Sequence, residues 1–106
     1  MSLIITDDNF NELVLSADKP VLVDFEADWC GSSNMVGPVV EAIFREYAGK
    51  AIVGKIDVDT NPEAVRRYGI RNIPALLFFK GGEIVDKQIG AVPKRLLAEK
   101  LDKQLR

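Results

Sequence analysis

The sequence predicts an α/β layered domain, with residues 1–106 forming a single unit. Three observations predict it. Short β-branched runs alternate with stretches of helical periodicity, giving the order β-α-β-α-β-α-β-β-α. Helices fall between the early strands, as crossovers joining a parallel pair do. Late in the chain, two apolar runs are separated only by Lys80-Gly81-Gly82-Glu83, the signature of an antiparallel hairpin.

Leu3–Ile5 is a short edge-strand candidate. Thr6 or Asp7 is placed to cap a helix whose apolar positions are Phe10, Leu13 and Val14. Lys19-Pro20 ends that connection, and Val21-Leu22-Val23-Asp24-Phe25 reads as a buried central strand interrupted by one acid. The next helix begins at or just after Cys30, with Val36, Val39, Val40, Ile43, Phe44 and Tyr47 at helical spacing. Pro38 lies inside it, where its ring removes one backbone donor and predicts a kink, and Gly49 is a stop. Ala51–Val58 is a second β-branched strand. Asn61-Pro62-Glu63 supplies a cap, a first-turn proline and a first-turn acid for a helix ending near Tyr68-Gly69. Ala75–Phe79 and Ile84–Ile89 are the hairpin strands, and Pro93 opens a last helix with Leu97, Leu101 and Leu105 on one stripe.

Composition bounds the function. A chain of 106 residues with 47% hydrophobic and 28% charged residues fits one folded domain rather than a disordered one. A net charge of −2 gives no electrostatic ground for nucleic acid or anionic membrane as a partner. The cluster of Lys94, Arg95, Lys100, Lys103 and Arg106 is interleaved with Glu99 and Asp102, as on a solvated helix face. No stretch approaches the roughly 20 apolar residues of a membrane span, and Met1–Asp8 has no basic region followed by an apolar run. The expected location is cytoplasmic, and a processed periplasmic form would read the same way. With no histidine and one cysteine, there is no internal disulfide and no ligand set for structural zinc. No metal and no cofactor are expected, and the chain is expected to be a monomer.

The single thiol, Cys30, lies in Ala27-Asp28-Trp29-Cys30-Gly31-Ser32-Ser33-Asn34-Met35, after a buried strand and before a helix. Unpaired N–H groups at a helix N-terminus favour an anion, so this thiol should ionise below the free value of about 8.5. A small buried hydrophobe is the structural alternative for a lone cysteine. The flanking Trp29, Gly31, Ser32 and Ser33 favour a reactive thiolate: Gly31 and the serines keep the approach open, and both hydroxyls can reach the sulfur. Asp24 is the second candidate. Burial within Val-Leu-Val-Asp-Phe would raise its pKa and make it a proton carrier, unless its strand is an edge and the side chain faces water. Lys55, in the neighbouring strand, is either its partner or an ordinary exposed lysine. Ile73-Pro74 is the third. X–Pro bonds in folded proteins are mostly trans, whereas a cis bond there would present the Ile73 backbone to a partner.

Together these pieces resemble thioredoxin over essentially the whole chain. The resemblance is carried by Val23-Asp24-Phe25, Ala27, Trp29-Cys30-Gly31, Met35, Pro38, Lys55, Asp57-Val58-Asp59, Tyr68-Gly69-Ile70-Arg71, Ile73-Pro74, Phe79-Lys80, Gly82 and Gly90. It implies a thioredoxin-like fold, a central mixed β-sheet flanked by helices on both faces. It also implies that Ile73-Pro74 is cis, that Asp24 is the buried carboxylate below the active-site helix, and that Lys55 is its neighbour. In that family Trp-Cys-Gly-Pro-Cys-Lys carries disulfide exchange. The first thiolate attacks a substrate disulfide, and the second thiol, deprotonated with help from the buried acid, resolves the mixed disulfide. This chain keeps the first as Cys30. It has Ser32 for proline, Ser33 for the resolving cysteine and Asn34 for the basic residue, and Glu26 stands where bacterial members commonly have tryptophan.

The resemblance therefore implies a protein thiol–disulfide oxidoreductase acting in monothiol mode on disulfide-containing client proteins. Thioredoxin reductase or a low-molecular-weight thiol would be its reductant. Trp29, Gly31, Ser32, Ile73, Pro74, Gly90 and Ala91 would form the substrate surface, with main-chain bonds to an extended peptide. The alternative is a binding module that holds its clients covalently, since a thiol that attacks but does not resolve leaves a mixed disulfide. Three adjacent departures inside a matching motif are also what an engineered trap would show. A third reading, an iron–sulfur cluster shared between subunits, rests on the Cys-Gly-x-Ser spacing of Cys30-Gly31-Ser32-Ser33 alone.

Overall fold

The computed structural model describes residues 1–106. Five strands, β1 (Leu3–Ile4), β2 (Val21–Glu26), β3 (Ile52–Asp57), β4 (Ala75–Lys80) and β5 (Glu83–Ile89), form one sheet in the order β1-β3-β2-β4-β5. β3 runs parallel to both β1 and β2, while β4 runs antiparallel to β2 and β5 antiparallel to β4. The parallel part thus includes the short edge strand as well as the expected central pair. Gly81 and Gly82 make the two-residue hairpin turn, with φ of +60° and +80°, the left-handed pair that matches the twist of the flanking strands.

Helices cover both faces. Alternate residues of β2 point to opposite sides. Val21, Val23 and Phe25 join Phe10, Val14, Ala64 and Phe79 in one core, under Asn11–Leu15 and α2 (Pro62–Arg67). Leu22 joins Val36, Val40, Ile43, Leu97 and Leu101 in the other, under α1 (Gly31–Glu46) and α3 (Lys94–Gln104). Phe10, Tyr68 and Phe79 meet edge-on or tilted, with ring centroids 5.3–5.8 Å apart. α1 continues past Pro38, which sits at an exposed position. Leu105 is exposed and lies beyond the end of α3, so the last apolar stripe is Leu97 and Leu101. No helix is long and apolar enough to cross a membrane.

Two expectations near the N-terminus need correction. The first helical element is a single π-turn, Asn11–Leu15, closed by an N–H of Ser16 bonding the carbonyl of Asn11 five residues back. Thr6 still closes its entry: the Asn9 N–H donates to Thr6 Oγ1 (3.2 Å) and the Thr6 N–H to Asn9 Oδ1 (2.8 Å), a reciprocal cap.

Asn61 does not cap α2 through its side chain. Its Oδ1 accepts the Asp7 N–H (2.8 Å), and the Asp7 carboxylate accepts the N–H groups of Glu63 (3.0 Å) and Ala64 (2.9 Å). The cap of α2 thus comes from a residue more than 50 positions earlier, and it adds a negative charge at the positive end of the helix. Asp7→Ala is expected to lower the unfolding free energy by about 1–2 kcal/mol, read as a shift in the urea midpoint at constant m-value. An unchanged midpoint would mean that water caps the helix equally well.

Candidate active site

The end of the sheet where β2 finishes gathers the candidate residues. β2 leaves the core at Glu26 and the chain turns through Ala27, whose carbonyl accepts the Cys30 N–H at 3.1 Å. Cys30 is then the N-cap of α1, in extended conformation, and its carbonyl accepts the Asn34 N–H at 3.0 Å. Asn34 Nδ2 donates to the Asp28 carbonyl (3.1 Å), which ties the first turn of the helix to the preceding loop. The position that held a basic residue in the expected pattern therefore does structural work here and carries no charge.

The Cys30 thiol is half-buried and free. It donates toward the carbonyl of Ile73, with Sγ···O 3.7 Å. The Ile73-Pro74 bond is cis, as the resemblance implies. The Pro74 carbonyl in turn accepts the Gly90 N–H at 2.8 Å, so the turn after β5 lies against the same segment. Cys30, Ile73, Pro74 and Gly90 are thus brought together, with Ala91 exposed beside them.

Ser33 departs from the open serine surface that the sequence suggests. Its side chain is 1% exposed and its hydroxyl has no partner, whereas Gly31 and Ser32 are exposed. With the thiol proton directed to Ile73, the Ser33 hydroxyl is free to donate to the sulfur once that proton leaves. The Ser33 hydroxyl, the Ser33 N–H and, more weakly, the Ser32 N–H hold the Cys30 thiol below its ordinary value, against a contribution from burial. Ser32 acts through its backbone, not its hydroxyl.

Asp24 does not face water. β2 is central, and Asp24 sits opposite Lys55 of β3 and Leu76 of β4, on the face covered by α1 and α3. It is fully buried, and neither carboxylate oxygen has a hydrogen-bond partner. Burial pushes its pKa up to about 9, and the Glu26 carboxyl adds to the rise. Lys55 pulls the other way, but the two form no ion pair. Lys55 is half-buried.

Trp29 is 69% exposed, yet its indole N–H is held by the Asp59 carboxylate at 2.7 Å. Asp59 is fixed in its loop by an N–H bond to Asp57 Oδ1 (2.8 Å). Asp59 is the site residue that sequence reasoning missed. The available signal was its position just past the end of β3, on the same side of the sheet as Cys30. Met35, 71% exposed on the first turns of α1, adds apolar surface nearby. Cys30 lines none of the depressions beside α2, beside α3 and beside the Ile73-Pro74 segment. No group of three or more His, Cys, Asp or Glu side chains is arranged to hold a metal ion.

Against protein-family models, residues 1–103 match Thioredoxin. Among curated proteins, the chain is 50% identical over 100 residues to "Thioredoxin" of Chlorobaculum thiosulfatiphilum, covering 94% of this chain and 93% of the relative. It is 52% identical over 101 residues to "Thioredoxin 1" of Nostoc sp., covering 95% and 94%. It is 46% identical over 102 residues to "Thioredoxin M-type, chloroplastic" of Pisum sativum, covering 96% of this chain and 59% of the relative.

Proposed function

The chain belongs to the thioredoxin family of thiol–disulfide oxidoreductases, and from that premise we propose that it exchanges disulfides in monothiol mode, with Cys30 as nucleophile. The observation that carries this reading is that Cys30, at the N-cap of α1, is held below its ordinary pKa by Ser33, whose buried hydroxyl has no hydrogen-bond partner. The site favours the thiolate and offers no second thiol.

The exchange proceeds in balanced steps. Cys30 thiolate attacks one sulfur of a client disulfide; the Cys30–client disulfide forms, and the other client sulfur leaves as thiolate. Ser33 cannot take the next step, because an alcohol is barely ionised near pH 7 and does not exchange with disulfides. An external thiolate such as glutathione therefore attacks the Cys30 sulfur and releases the second client thiolate. A second glutathione then attacks the glutathione sulfur, returns Cys30 as thiolate and leaves with its partner as a disulfide. Two external thiols are oxidised and one client disulfide is reduced. Lys55 bears on Asp24 only by drawing its raised pKa down, and Trp29, Gly31, Ser32, Ile73, Pro74, Gly90 and Ala91 bear on the client backbone. Thioredoxin reductase, the reductant the family suggests, finds no internal disulfide to reduce in a chain with one cysteine, so a small thiol supplies the electrons.

Insulin reduction, followed with and without millimolar glutathione, tests this. Turnover is expected only with glutathione and is lost in Cys30→Ser. Without glutathione, non-reducing gels should show Cys30-dependent adducts that dissolve with reductant, the behaviour of a covalent client-holding module. No turnover and no adduct under either condition would overturn the reading.

A further inference from the structure

We propose that a depression beside the Ile73-Pro74 segment is a subsite for an acidic side chain of the client, close in sequence to the cysteine that Cys30 attacks. This deepens the reading of Cys30 as nucleophile and rests on it. The depression holds about 220 Å³, and its lining combines the apolar Ile70, Leu77 and Ile89 with the polar Arg71, Asn72 and Lys87. Its place follows from the strand register. Ala75 pairs with both Phe25 and Ile89, so Ile89 lies at the end of the sheet where β2 runs out toward Cys30. Arg71 and Asn72 directly precede Ile73, whose carbonyl lies 3.7 Å from Cys30 Sγ. A client chain lying along Ile73 to reach Cys30 therefore passes the mouth of the depression.

Charge selects the occupant. Arg71 and Lys87 are exposed, and neither side chain makes an ion pair or donates a hydrogen bond. No acidic residue lines the depression. The other two depressions differ. Beside α3, Asp86 and Glu99 pair with Lys100 and Arg95; beside α2, Asp7 caps the helix and Glu63 pairs with Arg66. In a chain of net charge −2, Arg71 and Lys87 are thus two unpaired cations lining one partly apolar depression. A Glu or Asp side chain would lay its methylene on the apolar lining and bring its carboxylate to the cations. Exposed pairs of this kind are individually weak, so the expected gain in attack rate from the two together is about 3- to 10-fold.

The test uses disulfide-linked dimers of a neutral octapeptide, with Glu or Gln placed two, three or four residues to either side of its cysteine. The rate of Cys30 adduct formation is followed by acid quench and mass spectrometry. Glu at one or more positions should react about 3- to 10-fold faster than Gln at low salt. The advantage should vanish at 0.5 M salt and in Arg71→Gln/Lys87→Gln, while the Gln peptides react equally with both proteins. Equal rates for Glu and Gln at every position, or an advantage that survives in the double variant, overturn the subsite. Absence of adduct with every peptide overturns the nucleophile reading itself, and the subsite with it.

Discussion

Ser33→Cys is expected to reduce insulin without any added small thiol, on the order of 100-fold or more faster than the parent chain, with thioredoxin reductase as electron source. The argument is one of proximity. In the parent, resolution waits for a thiol to arrive from solution. In the variant, the resolving sulfur sits in the first turn of α1, three residues from Cys30, and its effective concentration far exceeds millimolar. The position suits a thiol. The Ser33 side chain is 1% exposed, is not tied to any other group, and already lies within bonding influence of the Cys30 sulfur. On non-reducing gels the Cys30 adducts that accumulate in the parent should disappear in the variant. If the two proteins turn over alike, or the adducts persist, resolution is not the missing step and the monothiol reading fails.

Most of the fold was legible because its signals are local. The continuous apolar runs of β2 and β4, the helical spacing in α1 and the Gly81-Gly82 turn each need only neighbouring residues. The burial of Asp24 was legible too, since it follows from a strand too apolar to be an edge. Contacts between distant segments were not legible. Asp7 reads as a cap for the helix it precedes, yet it caps α2, because Asn61 accepts the Asp7 N–H and turns the carboxylate toward Glu63 and Ala64. Asp59 reads as one acid in a loop until the parallel pairing of β2 with β3 brings it to Trp29. Ser33 shows the same gap at the site. Its sequence position marks it as the missing thiol, but not that its hydroxyl is buried while that of Ser32 is open. The cis Ile73-Pro74 bond came only from the family resemblance, since backbone preference alone favours trans.

Asp24→Asn is expected to stabilise the protein, and the stabilisation should grow with pH. In the folded chain the Asp24 carboxyl is raised from an ordinary value near 3.8 to about 9, chiefly by burial and then by Glu26 on the same strand, with Lys55 of β3 opposing. A raised pKa means that the folded state holds this proton more tightly than the unfolded state does. Below about pH 4 both states are protonated and the residue is neutral to stability. Between about pH 4 and 9 the unfolded chain has released the proton and the folded chain keeps it, so stability falls by up to about 1.4 kcal/mol per pH unit. Above about pH 9 both states are ionised and the loss levels off. An asparagine has nearly the same shape as the protonated acid and does not titrate, so its advantage should be near zero at pH 4 and on the order of 4 kcal/mol at pH 7. Urea melts at pH 4, 5, 6, 7 and 8 measure it. A gap that stays flat across that range would mean that Asp24 is ionised in the folded protein. A widening gap marks a group that destabilises its own fold.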